Sequence, residues 1–127
     1  MKSPLKELSA QCQTPEHLIE KKDSNYFALI NGDIQDYKKL KDIFEKYKFD
    51  IVVNLAAQAG VRYSIENPKK YLNSNFVGFF NILELSRINK ITKIIYASSS
   101  SVYGNTKKFP LNEHSNLNPN NFYGLSK

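Results

Sequence analysis

Asp50-Ile51-Val52-Val53-Asn54-Leu55-Ala56-Ala57-Gln58-Ala59-Gly60 is the stretch on which the fold turns. Its first half is continuous and β-branched, the pattern of a strand covered on both faces. Its second half is a run of small residues, placed where that strand ends. Upstream, Leu40, Ile43, Phe44 and Tyr47 form one helical stripe within Asp36–Tyr47, with lysines opposite. Before it, Tyr26-Phe27-Ala28-Leu29-Ile30 reads as a buried strand closed by the turn Asn31-Gly32-Asp33. Residues 1–25 are polar and irregular, with room for a short helix and no readable chemistry.

Downstream, Asn67-Pro68 opens a second helix, with asparagine as cap and proline in the first turn. That helix carries Leu72, Phe76, Phe79, Ile82, Leu83 and Leu85 and ends near Asn89. Ile94-Ile95-Tyr96-Ala97 is another buried strand, followed by the serines 98–101 and by Val102-Tyr103-Gly104. A polar loop spans 105–118. Asn118-Pro119 then leads into a final helix holding Tyr123 and Lys127. Alternating strands and helices imply an α/β fold with parallel strands and crossover helices. In such open sheets ligands bind beyond the carboxyl ends of the strands, where residues 56–60 and 98–101 both fall.

Composition narrows the function. The chain has 127 residues, 41% of them hydrophobic, which suits one small domain. No apolar run approaches the ~18 residues of a membrane span, and no signal-peptide core follows Met1. The single Cys12 excludes an internal disulfide, and a cytoplasmic protein is expected. The net charge of +6 is spread over dispersed lysine pairs without a basic block interleaved with aromatics. A nucleic-acid surface is therefore not expected, and a small anionic substrate suits the balance. No metal site is expected.

The last residues, Tyr123-Gly124-Leu125-Ser126-Lys127, read Tyr-x-x-x-Lys. On a helix the two side chains share one face. An ammonium beside a phenol favours the phenolate, so a group with a reference pKa of ~10 becomes a usable base. The spacing alone is weak, because Tyr37/Lys41 and Tyr103/Lys107 repeat it. Only the last pair faces a strand-end serine, Ser99, whose hydroxyl can bind a substrate alcohol and relay its proton to Tyr123.

At this point the chain resembles the extended short-chain dehydrogenase/reductase family, the NAD-dependent nucleotide-sugar epimerases and dehydratases. The resemblance runs from about Asn31 to Lys127. It rests on Gly32-Asp33-Ile34, Asn54-Leu55-Ala56-Ala57-Gln58-Ala59, Asn73-Ser74-Asn75-Phe76-Val77-Gly78, Tyr96 through Gly104, and the terminal Tyr-x-x-x-Lys. Ala57 through Ser64 and the serine run look most like UDP-glucuronate 4-epimerases. Related 4,6-dehydratases carry Thr-Asp-Glu where this chain has Ser99-Ser100-Ser101, so the acid and base of water elimination are lacking. UDP-glucose 4-epimerase, and a non-catalytic remnant or binding module, are the alternative readings.

The resemblance implies NAD as cofactor, a UDP-sugar as substrate, and Ser99, Tyr123 and Lys127 as the catalytic residues. It implies that Asp33 and Ile34 border the adenine and that Leu55, Ala56, Ala57 and Gln58 line the dinucleotide. Asn75, Tyr123 and Lys127 complete the cofactor side; Ser99, Ser100 and Arg62 stand on the substrate side. Read from the residues alone, Asp33 is equally a helix cap, Asn75 an exposed helix residue and Arg62 a solvated loop arginine. A homodimer through the helices at 68–89 and near Tyr123 is the family's habit. The glycine-rich phosphate loop of the family occurs nowhere. The resemblance thus implies that residues 1–127 form a partial Rossmann-like, doubly wound domain, without its first two strands and without the C-terminal substrate domain. Such a fragment is expected to bind NAD weakly and to be inactive alone.

Overall fold

The computed structural model describes residues 28–127. Residues 1–25, with Cys12, and the Tyr26-Phe27 start of the first expected strand lie outside the described residues. Helix α1 (Tyr37–Tyr47) leads to strand β1 (Ile51–Asn54). Helices α2 (Val61–Glu66) and α3 (Pro68–Tyr71), a π-helical stretch (Leu72–Gly78) and α4 (Phe79–Ile88) then cross to strand β2 (Lys93–Tyr96). A 3₁₀ turn (Ser100–Tyr103) and helix α5 (Phe122–Leu125) complete the chain. The strands pair in parallel, Ile51 beside Lys93 through Asn54 beside Tyr96, joined by the helical crossover that parallel pairing requires.

Helix α1 begins where the Asp36 carboxylate accepts the Lys39 N–H at 3.0 Å. It ends at Lys48, whose left-handed backbone (φ 47°) returns its N–H to the Phe44 carbonyl. Phe44 on α1, Ile82 and Leu85 on α4 and Ile91 before β2 form the buried core, with Ile34, Leu40, Val52 and Phe79 packed around it. The two helices thus cover the face of β1 that carries Val52. Tyr37 lies exposed on α1 and Lys41 pairs with Glu45, which assigns that Tyr/Lys repeat to the surface.

Several expectations are corrected. The strands are not covered on both faces: Ile51, Val53 and Ile95 are 49%, 56% and 59% exposed, because the described helices pack against one side alone. Ala28–Ile30 form no strand and are exposed, since no neighbour among the described residues offers them a ladder. Pro68 does open a helix, but Asn67 makes no side-chain cap bond; its backbone N–H is taken by Tyr63, the end of the preceding α2. Phe76 does not enter the core. It is exposed and packs its ring on Phe122, 5.8 Å between centroids, while Leu72 and Leu83 also face outward.

Candidate active site

Beyond the carboxyl ends of β1 and β2 the chain changes from apolar to small and polar. Asn54 ends β1 and turns its side-chain oxygen onto the Ala56 N–H, which starts the small-residue segment on a fixed heading. Gln58 is then held from the crossover. Asn75 accepts the Gln58 N–H at 2.7 Å and returns its amide to the Gln58 carbonyl at 3.0 Å, as a neighbouring strand would. The same amide donates to the Ser126 hydroxyl at 2.8 Å, and Ser126 donates to the Tyr123 carbonyl. Asn75 is therefore buried, not an exposed helix residue. It sits within the seven-residue π-helical stretch, a widening that often marks functional positions.

Tyr123 lies inside α5. Its helix is capped by Asn121, which accepts the Gly124 N–H at 2.7 Å, and by Ser64 of α2, which accepts the Tyr123 N–H at 3.3 Å. Lys127 lies beyond the helix, one residue past its C-cap Ser126, and its N–H reaches the Gly124 carbonyl at 3.3 Å. The Tyr-x-x-x-Lys pair is thus carried by a single short turn, not by a longer helix. Gly124 allows that turn to approach the serines: a Cβ there would stand 2.5 Å from the Ser101 carbonyl oxygen. From the strand end, Ser98 donates to the Lys127 carbonyl at 3.2 Å. Ser99 is the cap of the 3₁₀ turn, its hydroxyl accepting the Ser101 N–H at 3.2 Å, and Ser100 is exposed beside it.

Asn54, Ala56, Ala57, Asn75, Phe79, Tyr96, Ala97, Ser126 and Lys127 line one small cavity of ≈ 20 Å³. That is about a water's worth of space, so a dinucleotide would lie over the open strand ends. The donor set fits one: small side chains at 56, 57 and 97 let a ligand approach the backbone, and Asn75 and Lys127 line the same cavity. Leu55 is exposed at the rim. Ile34 packs over Gly78, where a Cβ would come within 2.5 Å of it, and Asn81 donates to the Ile34 and Gln35 carbonyls at 3.0 and 3.2 Å. The turn bearing Asp33 is thereby seated on α4. Asp33 itself does not cap α1; its carboxylate receives the Gln35 N–H and side-chain amide, and the cap is Asp36. Arg62 is exposed on α2, a helix where a loop was expected.

Two residues given no role in the sequence reading support the site. Tyr71 and Ser64 are among the most deeply buried side chains, with 0% and 1% exposure, although both are polar. Ser64 stood within the segment quoted for the resemblance, but without a role. Tyr71 was hidden among apolar helix positions. Burial, first of all, holds the Tyr71 phenol above its ordinary value, against a hydrogen bond from the Gln58 side chain that lowers it, and the neighbouring Tyr63 and Tyr123 add to the rise. Among the described residues no group of His, Cys, Asp or Glu could hold a metal ion, and no helix is long and apolar enough to cross a membrane.

Residues 5–127 match the GDP-mannose 4,6 dehydratase family model. Protein CapI of Staphylococcus aureus is 50% identical over 102 residues, 80% of this chain and 30% of its own length. UDP-glucuronate 4-epimerase 4 of Arabidopsis thaliana is 44% identical over 101 residues, 78% of this chain and 23% of its own length. The structure of UDP-glucose 4-epimerase from Brucella ovis in complex with NAD superimposes with a TM-score of 0.72 at 35% identity, covering 76% of this chain and 30% of that one. The chain therefore spans less than a third of each of these relatives.

Proposed function

We propose, from the premise that this chain belongs to the GDP-mannose 4,6-dehydratase family within the extended short-chain dehydrogenase/reductases, that it is the central part of an NAD-dependent nucleotide-sugar 4-epimerase acting on UDP-glucuronate. The observation that carries the reading is the polar chain Gln58–Asn75–Ser126–Tyr123, which fastens the small-residue cradle to the turn bearing Tyr123 and Lys127. The likeness to a UDP-glucuronate 4-epimerase supports the substrate. Ser100 and Ser101, in place of an Asp-Glu pair, favour epimerisation over dehydration.

When bound, NAD supplies the acceptor for the hydride at C4 of the sugar and its donor on return. The chain's own residues handle the proton and the geometry. Tyr123 takes the proton of the 4-hydroxyl, directly or through Ser99, and gives it back to the epimer. Lys127, on the same turn, would hold the nicotinamide ribose. Ala56 and Ala57 admit the dinucleotide to the backbone, while Asp33 and Ile34 border the adenine. Leu55 and Gln58 line the same path, and Asn75 fixes its inner end. Ser100 and Arg62 stand on the sugar side, Arg62 suited to an acidic sugar. A homodimer through the helices at 68–89 and α5 accords with the exposed Phe76, whose ring packs on the half-buried Phe122.

The test is incubation of the full reading frame carrying these residues with NAD and either UDP-glucuronate or UDP-glucose, the products read by NMR. The C4 epimer of the uronate is expected. Conversion of UDP-glucose instead moves the assignment to the sister epimerase, and conversion of neither overturns it.

A further inference from the structure

We propose that Tyr71 is a positioning residue that locks the small-residue cradle and Tyr123 into one unit. The proposal rests on the functional reading only in taking Tyr123 as the proton-transfer group. Tyr71 is the last residue of α3 and has no accessible surface, yet it is not part of the apolar core around Leu85. Its hydroxyl proton points at two main-chain carbonyls of the cradle, Ala59 at 2.7 Å and Gly60 at 2.6 Å. Its ring meets the Tyr123 ring edge-on, 6.2 Å between centroids at 74°, and Tyr63 lies 6.2 Å away on α2.

Each contact has a separate consequence. The hydroxyl holds a backbone that needs holding, because Gly60 is in a left-handed conformation (φ 103°) and α2 starts from it without a side-chain cap. The Gly60 carbonyl also accepts the Ser64 N–H, and Ser64 in turn caps the Tyr123 N–H. Release of the Tyr71 hydroxyl therefore loosens the start of α2, and with it one support of Tyr123. The ring edge restrains Tyr123 directly, independent of the hydroxyl. With its proton committed to carbonyls, Tyr71 does not compete with Tyr123 for the proton of a substrate alcohol.

The two functions separate in two variants of the full reading frame carrying these residues, read by amide hydrogen exchange and by NMR of ring-labelled tyrosines. Tyr71→Phe keeps the ring and removes the staple. Exchange at the Ser64 amide should quicken about five- to tenfold, as for one lost hydrogen bond, while the Tyr123 ring resonances stay in place. Tyr71→Leu should give the same acceleration and also shift the Tyr123 ring resonances. Unchanged Ser64 exchange in Tyr71→Phe overturns the proposal, as do unmoved Tyr123 signals in a folded Tyr71→Leu chain. Failure of Tyr71→Phe to fold overturns it too, since the hydroxyl would then be a general structural requirement. Absence of sugar conversion by the full protein would count against the epimerase assignment and leave these signals untouched.

Discussion

Gly124 sits between Tyr123 and Lys127, and its missing side chain sets how close their turn comes to the serines. A methyl group there meets the Ser101 backbone oxygen, which cannot rotate aside. Gly124→Ala should therefore cost about 1–3 kcal/mol in urea denaturation, the range for overpacking a tight contact, despite alanine's better helix propensity. A variant as stable as the parent would show that α5 is not seated against the 3₁₀ turn. Tyr71 makes a second residue-level prediction. Burial raises its phenol above the ordinary value of 10.0, outweighing the Gln58 hydrogen bond that lowers it, with Tyr63 and Tyr123 adding to the rise. The folded state then holds this proton more tightly than the unfolded one. The associated stability is complete below about pH 10 and is lost as pH rises from there through the folded value. Denaturation midpoints measured from pH 8 to pH 11 should fall more steeply for the parent than for Tyr71→Phe, and parallel curves would contradict this.

At the scale of elements, α4 carries the fold. Leu85 is 1% exposed between α1 and the sheet, so Leu85→Ala should cost about 2–5 kcal/mol in denaturant unfolding, and a loss under about 1 kcal/mol would contradict the core described above. The places of α1, β1, α4 and β2 were readable from their apolar patterning, but the burial of the strands was not, since Val53 and Ile95, read as covered, are exposed. Helix α2 was not readable, because six residues hold under two turns and Val61-Arg62-Tyr63-Ser64-Ile65-Glu66 shows no apolar stripe. The π-helical stretch was equally hidden. It departs from the 3.6-residue repeat, which is why Phe76 and Leu72 face outward while Asn75 and Ser74 turn in. The candidate site was readable as residue types at strand ends. What was not readable is how it is mounted, since Ser64, Tyr71 and Asn81 act through main-chain atoms that leave no sequence pattern.

Taken whole, the described structure is a two-stranded parallel sheet with helices on one face and an apolar opposite face of Ile51, Val53 and Ile95. Among the described residues this β-branched face is open and lies beside an unpaired strand edge, an arrangement that invites self-association. Val53→Thr with Ile95→Thr should leave unfolding stability of the 127-residue chain within about 0.5 kcal/mol while lowering concentration-dependent light scattering. A large stability loss would mean that this face is covered. The same open architecture places the small-residue cradle, Asn75 and the Tyr123–Lys127 turn along one edge, and the account stands or falls on what happens there. The most direct measurement is the fate of the C4 hydrogen. Full-length protein given UDP-glucuronate deuterated at C4 should form the C4 epimer with the deuterium still on C4, and Tyr123→Phe should form almost none. Epimer that has lost the label to solvent, or label-retaining epimer formed equally well without the Tyr123 hydroxyl, would contradict proton transfer by Tyr123 coupled to hydride return.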